Sequence, residues 1–366
     1  MSKVRQLHNK AMGLAQLALV SREKGDFEKA EDLAQQAYEY EAQAANLIAI
    51  DKASEPTRSI MYSSAASLAF QCRKYEESSQ LIAQGLSGYP PPQVKEELKT
   101  LWDQVNFEAH LYVRGIELAS DELELSLHGN VVGSGLIPYD EFIKRIEAMY
   151  SLLSRTVQRK MNRVYQRTGR PAGMYKYFTP ALSVPRPGSF AIAFRLALPS
   201  QYQRVMFVDA AEIIEDIVAG MEFINQGNEE RLEELIVEEA YYLNFISSAR
   251  KMAPDGENIN LVGLTSRRRQ VGLTRQSKDI SLVSKDKILD ETKFKRIELK
   301  GVLDYAKARK EDKVGITTED KHYVIYVREG MDDLVRSYFD HNVTVTGAFD
   351  EINNRIYLED IQPEED

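Results

Sequence analysis

The spacing of apolar residues divides the chain into three regions that favour different secondary structure. Up to about residue 118, apolar and small side chains recur every three or four positions, as in amphipathic helices. Between residues 119 and 290, short alternating segments are interleaved with helical ones, and from residue 291 short strand-like segments dominate. The pattern predicts a multidomain α and α+β protein. Its parts are a helical bundle at 1–118, a central α+β domain at 119–290 and a small β-barrel at 291–366.

Two segments of the helical region are similar to each other. Residues 24–30 read Lys-Gly-Asp-Phe-Glu-Lys-Ala, and residues 73–78 read Arg-Lys-Tyr-Glu-Glu-Ser. Each segment follows a predicted helix, forms a turn and begins a second helix with small residues at helical spacing. We therefore expect close helix packing, with small side chains at the crossings and an aromatic side chain filling each wedge. The residues in these packing roles are Phe27, Ala30, Tyr75 and Ser78.

This arrangement resembles the tetratricopeptide repeat (TPR) family over residues 8–92. Ala18 and Ala66 occupy the small position of the first helix, and Pro90 matches the closing proline of the second unit. The period differs, because Phe27 and Tyr75 are 48 residues apart, whereas the family repeats at about 34 residues. The resemblance implies a TPR-like bundle that binds a protein partner; two ordinary helical hairpins would give the same spacing. Two repeats are few for a free-standing stack, so we expect packing on the rest of the chain or on a second copy.

The central region combines strands with charged helices. Strands are predicted at 123–127, 189–198, 259–264 and 270–274, and helices at 140–170, 209–225 and 228–248. The glycines between residues 129 and 135 lack the Gly-Lys-Ser/Thr ending of a phosphate-binding loop. We interpret that segment as a hairpin turn.

Charge is strongly segregated within this central region. Residues 148–208 contain ten basic residues and no carboxylate, whereas residues 209–239 contain eleven carboxylates and the single basic residue Arg231. Four arginines step by four residues along the predicted helix, placing guanidinium groups about 6 Å apart, close to the spacing of phosphates. Three more form the tip of a predicted hairpin. The candidate polyanion-binding residues are Arg155, Arg159, Arg163, Arg167, Arg170, Arg267, Arg268 and Arg269.

The same segregation has a second interpretation. The acidic helices at 209–225 and 228–248 would lie against the basic helix and neutralise it through ion pairs. In that case the basic residues would stabilise the fold and would not form a binding surface. The sequence leaves both interpretations open.

The last region predicts three strands, a helix and two strands. The strands are expected at 295–308, 313–317, 323–327, 343–347 and 355–358, and the helix at 331–339. This order resembles the OB barrel, and Gly301 inside the long first strand suits the bend that such a strand makes. An SH3-like barrel remains the alternative.

The sequence contains no catalytic or metal-binding motif. Cys72 is the single cysteine, the five histidines are scattered, and neither His-Glu-x-x-His nor Gly-x-Ser-x-Gly occurs. We expect no enzymatic activity, no cofactor and no metal. No segment has signal-peptide flanks or the roughly 20 apolar residues that span a bilayer, so we expect a cytoplasmic protein without membrane contact.

These observations favour a bacterial adaptor or regulatory protein that acts through protein–protein interaction at its TPR-like bundle. The alternative is a nucleic-acid (polyanion) binding protein that uses the basic helix and the arginine-rich hairpin. A homo-oligomer is a further expectation, since the short helical stack offers a surface for a second copy.

Overall fold

A computed structural model describes most of the chain. The described residues are 3–114, 117–130, 132, 136–167, 179–182, 190–197, 209–274, 295–306, 313–319, 321–352 and 355–364. The chain divides into two compact units, Met1–Ile116 and Glu117–Asp366, which we call the helical unit and the α/β unit. The predicted central domain and barrel both belong to the α/β unit.

The helical unit is built from antiparallel helix pairs. Its described helices are α1 (Lys3–Glu23), α2 (Phe27–Asn46), α3 (Thr57–Gln71), α4 (Tyr75–Leu86) and α5 (Pro92–Arg114). Helix α1 pairs with α2 and α3 with α4, while α2 packs on α3, and α5 packs on both α3 and α4. The helical character predicted for this region is confirmed, and the TPR assignment stays a resemblance.

The turn between α1 and α2 follows from its sequence. Gly25 has a φ of 80°, a left-handed conformation that glycine adopts without steric cost. The carboxylate of Asp26 then accepts a hydrogen bond from the backbone N–H of Lys29 at 3.4 Å, as an N-cap residue does. The turn and the cap together allow α2 to begin directly after α1 ends.

A five-stranded antiparallel sheet forms the centre of the α/β unit. Its strands are β1 (Glu122–His128), β2 (Thr179–Leu182), β3 (Phe190–Ala197), β4 (Leu261–Thr265) and β5 (Gln270–Leu273). Their order is β2-β3-β1-β4-β5. The helices of this part are α6 (Tyr139–Lys160), α7 (Ala210–Asn225), α8 (Glu229–Leu235) and α9 (Glu239–Met252).

Strand β1 is buried on both of its faces. Leu123, Leu125 and Leu127 join the apolar residues of the helices in one core cluster. The alternating residues Glu124 and Ser126 point to the opposite face, yet each is only 1% exposed. The sheet therefore differs from an antiparallel sheet with one solvated face, and the sequence pattern did not indicate this second buried face.

Helix α6 is shorter than the sequence pattern predicts. It ends at Lys160 and not near residue 170, because Asn162 adopts a left-handed conformation with a φ of 52°. The N–H of Asn162 donates to the carbonyl of Arg159 at 2.9 Å, and that of Arg163 donates to the carbonyl of Gln158 at 3.0 Å. This pair of hydrogen bonds is a Schellman motif, which terminates a helix and satisfies its last carbonyl groups.

The predicted helix at 228–248 is also wrong in its extent, because two helices occupy that region. Helix α8 ends at Leu235, and Ile236 leaves the helical conformation with φ −128° and ψ 83°. Ile236 is 2% exposed and belongs to the core cluster. Burial of its side chain accompanies the break, after which α9 begins at Glu239.

The C-terminal part is a closed five-stranded barrel, as predicted. Its elements are β6 (Lys295–Ala306), β7 (Lys313–Thr317), β8 (His322–Tyr326), α10 (Asp332–Arg336), β9 (Asn342–Asp350) and β10 (Arg355–Pro363). The order around the barrel is β10-β8-β7-β6-β9, with β9 pairing to β10 to close it and β8 parallel to β10. This topology is consistent with an OB-like barrel. A Cβ atom at Gly301 would collide with the carbonyl group of Thr317, which explains the glycine in the long first strand.

The barrel and the central sheet share one apolar core cluster. Arg250 of α9, which is 5% exposed, donates to both carboxylate oxygens of Asp360 in β10 at 2.6 and 3.4 Å. Arg328 and Glu239 form a second ion pair between the two parts. Across the described residues, no helix combines the length and the apolar character needed to cross a membrane.

Candidate functional site

The predicted arginine stripe does not lie along one helix. Arg155 and Arg159 are in α6, whereas Arg163 and Arg167 follow the helix end at Lys160. The regular four-residue spacing therefore does not place four guanidinium groups on one surface, and this expectation is corrected. Arg170 lies outside the described residues.

Arg155 makes contacts within the α/β unit. Its Nη1 donates to Oε1 of Gln158 at 3.0 Å, and its guanidinium carbon lies 4.5 Å from the ring centroid of Tyr165. The Tyr165 ring in turn meets the ring of Tyr241 edge-on at 5.2 Å. Burial raises the pKa of Tyr165, and it raises that of Tyr241 to about 12. Both phenols therefore stay neutral at physiological pH, and the stacked guanidinium supports packing at this point.

Arg159 is neutralised by helix α7. Its Nη2 lies 2.8 Å from Oδ2 of Asp216, and its Nη1 donates to the carbonyl of Leu235 at 2.8 Å. Lys160 reaches the same carboxylate oxygen at 2.9 Å. One aspartate of α7 therefore binds the two basic side chains at the end of α6.

Arg167 connects the segment after α6 to the barrel. Its Nη1 lies 3.2 Å from Oδ1 of Asp332, and its Nη2 donates to the carbonyl of Val327 at 3.0 Å. Burial raises the pKa of Asp332, and the positive charge of Arg167 opposes that shift. The pair holds the start of α10 against the central part of the unit.

The hairpin β4–β5 carries its arginines in two different environments. Arg269 lies 3.4 Å from Oε2 of Glu215 and 2.6 Å from Oε2 of Glu222, both on α7. Arg267 and Arg268 are exposed, as is Arg163. Among the described residues, no carboxylate forms an ion pair with these three.

Helix α7 is therefore the acidic element whose carboxylates bind basic side chains from two other elements. Asp216 pairs with the end of α6, while Glu215 and Glu222 pair with the hairpin. This geometry supports the second interpretation of the charge segregation, namely mutual neutralisation within the fold. What remains of the predicted basic surface in the described residues is three exposed arginines.

The packing residues proposed for the helical bundle are not all buried. Ala30 is 1% exposed, and Ser78 is fully buried with its hydroxyl donating to the carbonyl of Ala66 at 2.9 Å. Tyr75 is partly buried and its hydroxyl donates to Glu108 at 3.2 Å. Phe27, however, is 65% exposed. The expectation that it fills the space between α1 and α2 is wrong, because the small residues already allow the two helices to close that space.

A cluster of exposed apolar side chains lies at the end of the helical unit where α2 ends, α3 begins and α4 ends. We call it the loop-end surface. Its members are Leu47, Ile50, Ile60 and Tyr89, each about half exposed or more. The sequence pattern did not predict a role for these residues. The one feature of the sequence that could have indicated them is the presence of large apolar residues in segments that are otherwise typical of polar links.

Contacts between neighbouring segments hold the loop-end surface together. The ammonium group of Lys52 lies 5.3 Å from the ring centroid of Tyr89, which brings the two loops side by side. Arg58 is buried, and its Nη2 donates to the carbonyl of Gln84 at 2.9 Å. These contacts thus hold in place the segments that carry the exposed side chains.

The metal-ligating side chains are dispersed over the described part of the chain. No group of three or more histidine, cysteine, aspartate or glutamate residues there could hold a metal ion. His8 lies 3.0 Å from a carboxylate oxygen of Glu41, and His322 lies 3.4 Å from Asp304. Burial raises the pKa of the Cys72 thiol, which disfavours the reactive thiolate.

Two features of the described residues are therefore candidates for binding: the loop-end surface of the helical unit and the individually exposed arginines of the α/β unit. In comparisons with protein-family models, with curated proteins and with solved structures, the chain matches none.

Proposed function

We propose that the protein is a non-enzymatic adaptor whose helical unit binds an apolar segment of a protein partner at the loop-end surface. One observation carries the proposal. Of the sixteen large hydrophobic side chains that are exposed in the described residues, nine lie in the helical unit. That unit contains 112 of the 298 described residues, which is less than two fifths of them.

Exposed apolar residues that lie together are characteristic of interaction sites, whereas isolated ones are normal on any protein surface. Leu47, Ile50 and Tyr89 are on adjoining loops, and Ile60 is in the first turn of α3. Covering the exposed parts of four such side chains would contribute roughly 4 kcal/mol before the cost of association. An apolar or amphipathic peptide segment has the chemistry to provide that cover.

The alternative function, nucleic-acid binding, has weaker support. A polyanion site gains affinity from every cation that it sets against a phosphate. Arg159, Arg167 and Arg269 are already paired with carboxylates. The exposed Arg163, Arg267 and Arg268 would have to provide the binding energy.

The proposal is tested by affinity capture with matched variants. The double variant Ile50→Asp/Tyr89→Asp removes the apolar character of the loop-end surface. Val237→Asp is the control, since Val237 is 82% exposed on the other unit. We expect a partner protein from the native host to be retained by the wild type and by Val237→Asp and lost with the double variant. Equal capture by all three proteins, or no capture by the wild type, would contradict the proposal.

A second measurement separates the two functions. Fluorescence anisotropy with single-stranded and duplex oligonucleotides at low salt should show no binding by the wild type. Binding that weakens with salt and is lost in Arg267→Glu/Arg268→Glu would instead favour the polyanion function.

A further inference from the structure

Helix α1 carries an imidazole that a buried carboxylate holds in place. Nδ1 of His8 lies 3.0 and 3.1 Å from the two carboxylate oxygens of Glu41 in α2. The side chain of Glu41 is fully buried, whereas that of His8 is 39% exposed. A buried carboxylate requires such a hydrogen bond, because burial of an unpaired charge is costly. The pair therefore fixes the orientation of the ring at the edge of the contact between α1 and α2.

This orientation decides which ring nitrogen of His8 is available to other molecules. An ionised carboxylate only accepts hydrogen bonds, so Nδ1 carries the proton that points to Glu41. In the neutral ring the lone pair is then on Nε2. The two nitrogens of an imidazole point in nearly opposite directions, so Nε2 points away from the carboxylate. A nucleophilic nitrogen is thus held on a partly exposed ring.

The charge around this pair favours an anion over a cation. Arg5 is exposed and lies three positions before His8, on the same side of α1. From Lys3 to Arg22, α1 contains four basic residues and no carboxylate. On α2, the positions one turn from Glu41 are all uncharged. They are Ala37, Tyr38, Ala44 and Ala45. A metal cation at Nε2 would be repelled by the guanidinium group, whereas a phosphate would be attracted by it.

We propose that Nε2 of His8 is a phosphoryl-acceptor site, which takes a phosphoryl group from a small reactive donor, a phosphoramidate or an acyl phosphate. The lone pair of Nε2 forms a bond to phosphorus. The bond between phosphorus and the leaving group of the donor breaks, and the leaving group departs with that electron pair. The proton stays on Nδ1, so the ring becomes positively charged, and the carboxylate of Glu41 balances this charge.

Glu41 acts through the ring of His8 and is a positioning residue, while Arg5 attracts the phosphoryl oxygens. The product adds roughly two negative charges at neutral pH to a part of α1 that is otherwise basic. A change of this size alters which molecules the surface attracts. Neither His8 nor Glu41 belongs to the loop-end surface, so the inference does not rest on the proposed adaptor function.

Reaction of the full chain with phosphoramidate and with acetyl phosphate, two donors that need no enzyme, tests the proposal. Tandem mass spectrometry at neutral pH locates the modified residue, and ³¹P NMR identifies the ring nitrogen. We expect His8 to react at Nε2 about tenfold faster than His341 or more. His341 is the internal control, because it is exposed and its Nδ1 lies 2.7 Å from a neutral group, the carbonyl of Phe339.

Substitutions of Glu41 separate its effect on the reaction from a purely structural role. Glu41→Gln keeps an acceptor for the Nδ1 proton but removes the negative charge, and it should slow the reaction about tenfold. Glu41→Ala releases Nδ1, so a product phosphorylated at Nδ1 should appear. A purely structural role does not predict this change of nitrogen. His8→Gln should abolish the modification in α1.

Two exposed basic residues provide a matched pair of variants. Arg5→Gln should slow the reaction about threefold, as expected for an exposed charge. Lys3→Gln is the control, because Lys3 lies five positions before His8 and therefore on a different side of α1. It should leave the rate unchanged. If circular dichroism shows that Glu41→Gln unfolds the helical unit, the contrast between these two variants decides.

Three results overturn the proposal: no reaction at His8 with either donor, equal rates at His8 and His341, or a folded Glu41→Gln variant that reacts as fast as the wild type. Equal rates for Arg5→Gln and Lys3→Gln overturn the role of Arg5. A negative result in partner capture has no bearing on any of these outcomes.

Discussion

The helical unit closes its core largely with alanine, whereas the α/β unit packs leucine, isoleucine and phenylalanine from a sheet, helices and a barrel into one cluster. Ala44, Ala65 and Ala69 are fully buried in the first core, and Leu153, Ile217 and Phe194 are at most 2% exposed in the second. Small side chains let helices approach closely but bury little area each. More of the large apolar residues of the helical unit consequently remain on its surface.

The two units also differ in which residues their ion pairs connect. In the α/β unit, Asp216, Glu222 and Asp360 each pair with an arginine from another element. In the helical unit, three ion pairs join residues only three positions apart in the sequence, such as Lys99 with Glu96. The α/β unit thus uses its unusual charge segregation to join its own elements. The ion pairs of the helical unit are mostly local in the sequence.

The comparison is tested most strongly by a core truncation in each unit. Leu152 of α6 is 1% exposed. Leu152→Ala should lower the free energy of unfolding by about 4 kcal/mol, because a cavity remains. In urea unfolding followed by far-UV circular dichroism, the transition of the α/β unit should move. Trp102, the single tryptophan, is in the helical unit, and its fluorescence transition should not move. Ile82→Ala should give the reverse pattern; a common shift of both signals would show that the units unfold together.

The ion pair between Arg250 and Asp360 connects the central part of the α/β unit to the barrel, and a substitution of Asp360 tests that connection. Asp360→Ala removes the carboxylate that binds the buried guanidinium of Arg250, and we expect a loss of about 3 kcal/mol in the free energy of unfolding. Glu364→Ala is the control, because its pair with Lys300 spans 3.7 Å and is well exposed. It should change stability by less than about 0.5 kcal/mol. Equal effects of the two substitutions would mean that the stability of the fold does not depend on the contact between Arg250 and Asp360.

Two arginines of the predicted stripe should behave differently. Arg159→Gln loses its ion pair with Asp216 at a site where its side chain is 14% exposed, and it should cost about 2 kcal/mol. Arg163→Gln changes an exposed side chain and should stay within about 0.5 kcal/mol. Chemical denaturation of both variants measures the contrast. Similar values would argue against neutralisation as the role of Arg159.

The smallest expected effect depends on pH. Asp255 is partly buried, which alone would raise its pKa, but backbone N–H groups of Ile259, Glu257 and Asn258 lower the pKa below its ordinary value. The folded state therefore gains stability from the carboxylate above the ordinary pKa of about 3.9 and loses it as the pH falls through the lower folded value. Asp255→Asn should cost about 1 kcal/mol at neutral pH. That difference should shrink in strongly acidic solution, and a pH-independent difference would contradict the assignment.

The sequence predicted the barrel better than it predicted the basic surface, for a physical reason. Strand identity and order depend on alternation and turns, which are local. A special role for Gly301 could be expected from its position in the long strand, although the close approach of Thr317 that requires a glycine there could not. The stripe at Arg155–Arg167 required the helix to continue beyond Lys160, yet Asn162 ends it there with a left-handed turn. Asparagine is tolerated both inside helices and at their ends, so the pattern of apolar residues could not decide between the two.

The sequence by itself determined the helical N-terminal region and the strand-rich C-terminal barrel, through the local periodicity of apolar residues. It also determined the segregation of charge into a basic and an acidic block, through its composition. Each of these is a property of residues close together in the chain. Tertiary structure decided the rest: that Asp216 of α7 neutralises Arg159, that Glu222 binds Arg269 and that Phe27 is exposed. Ion pairing and burial depend on distances between residues far apart in sequence, and those distances exist only once the chain has folded.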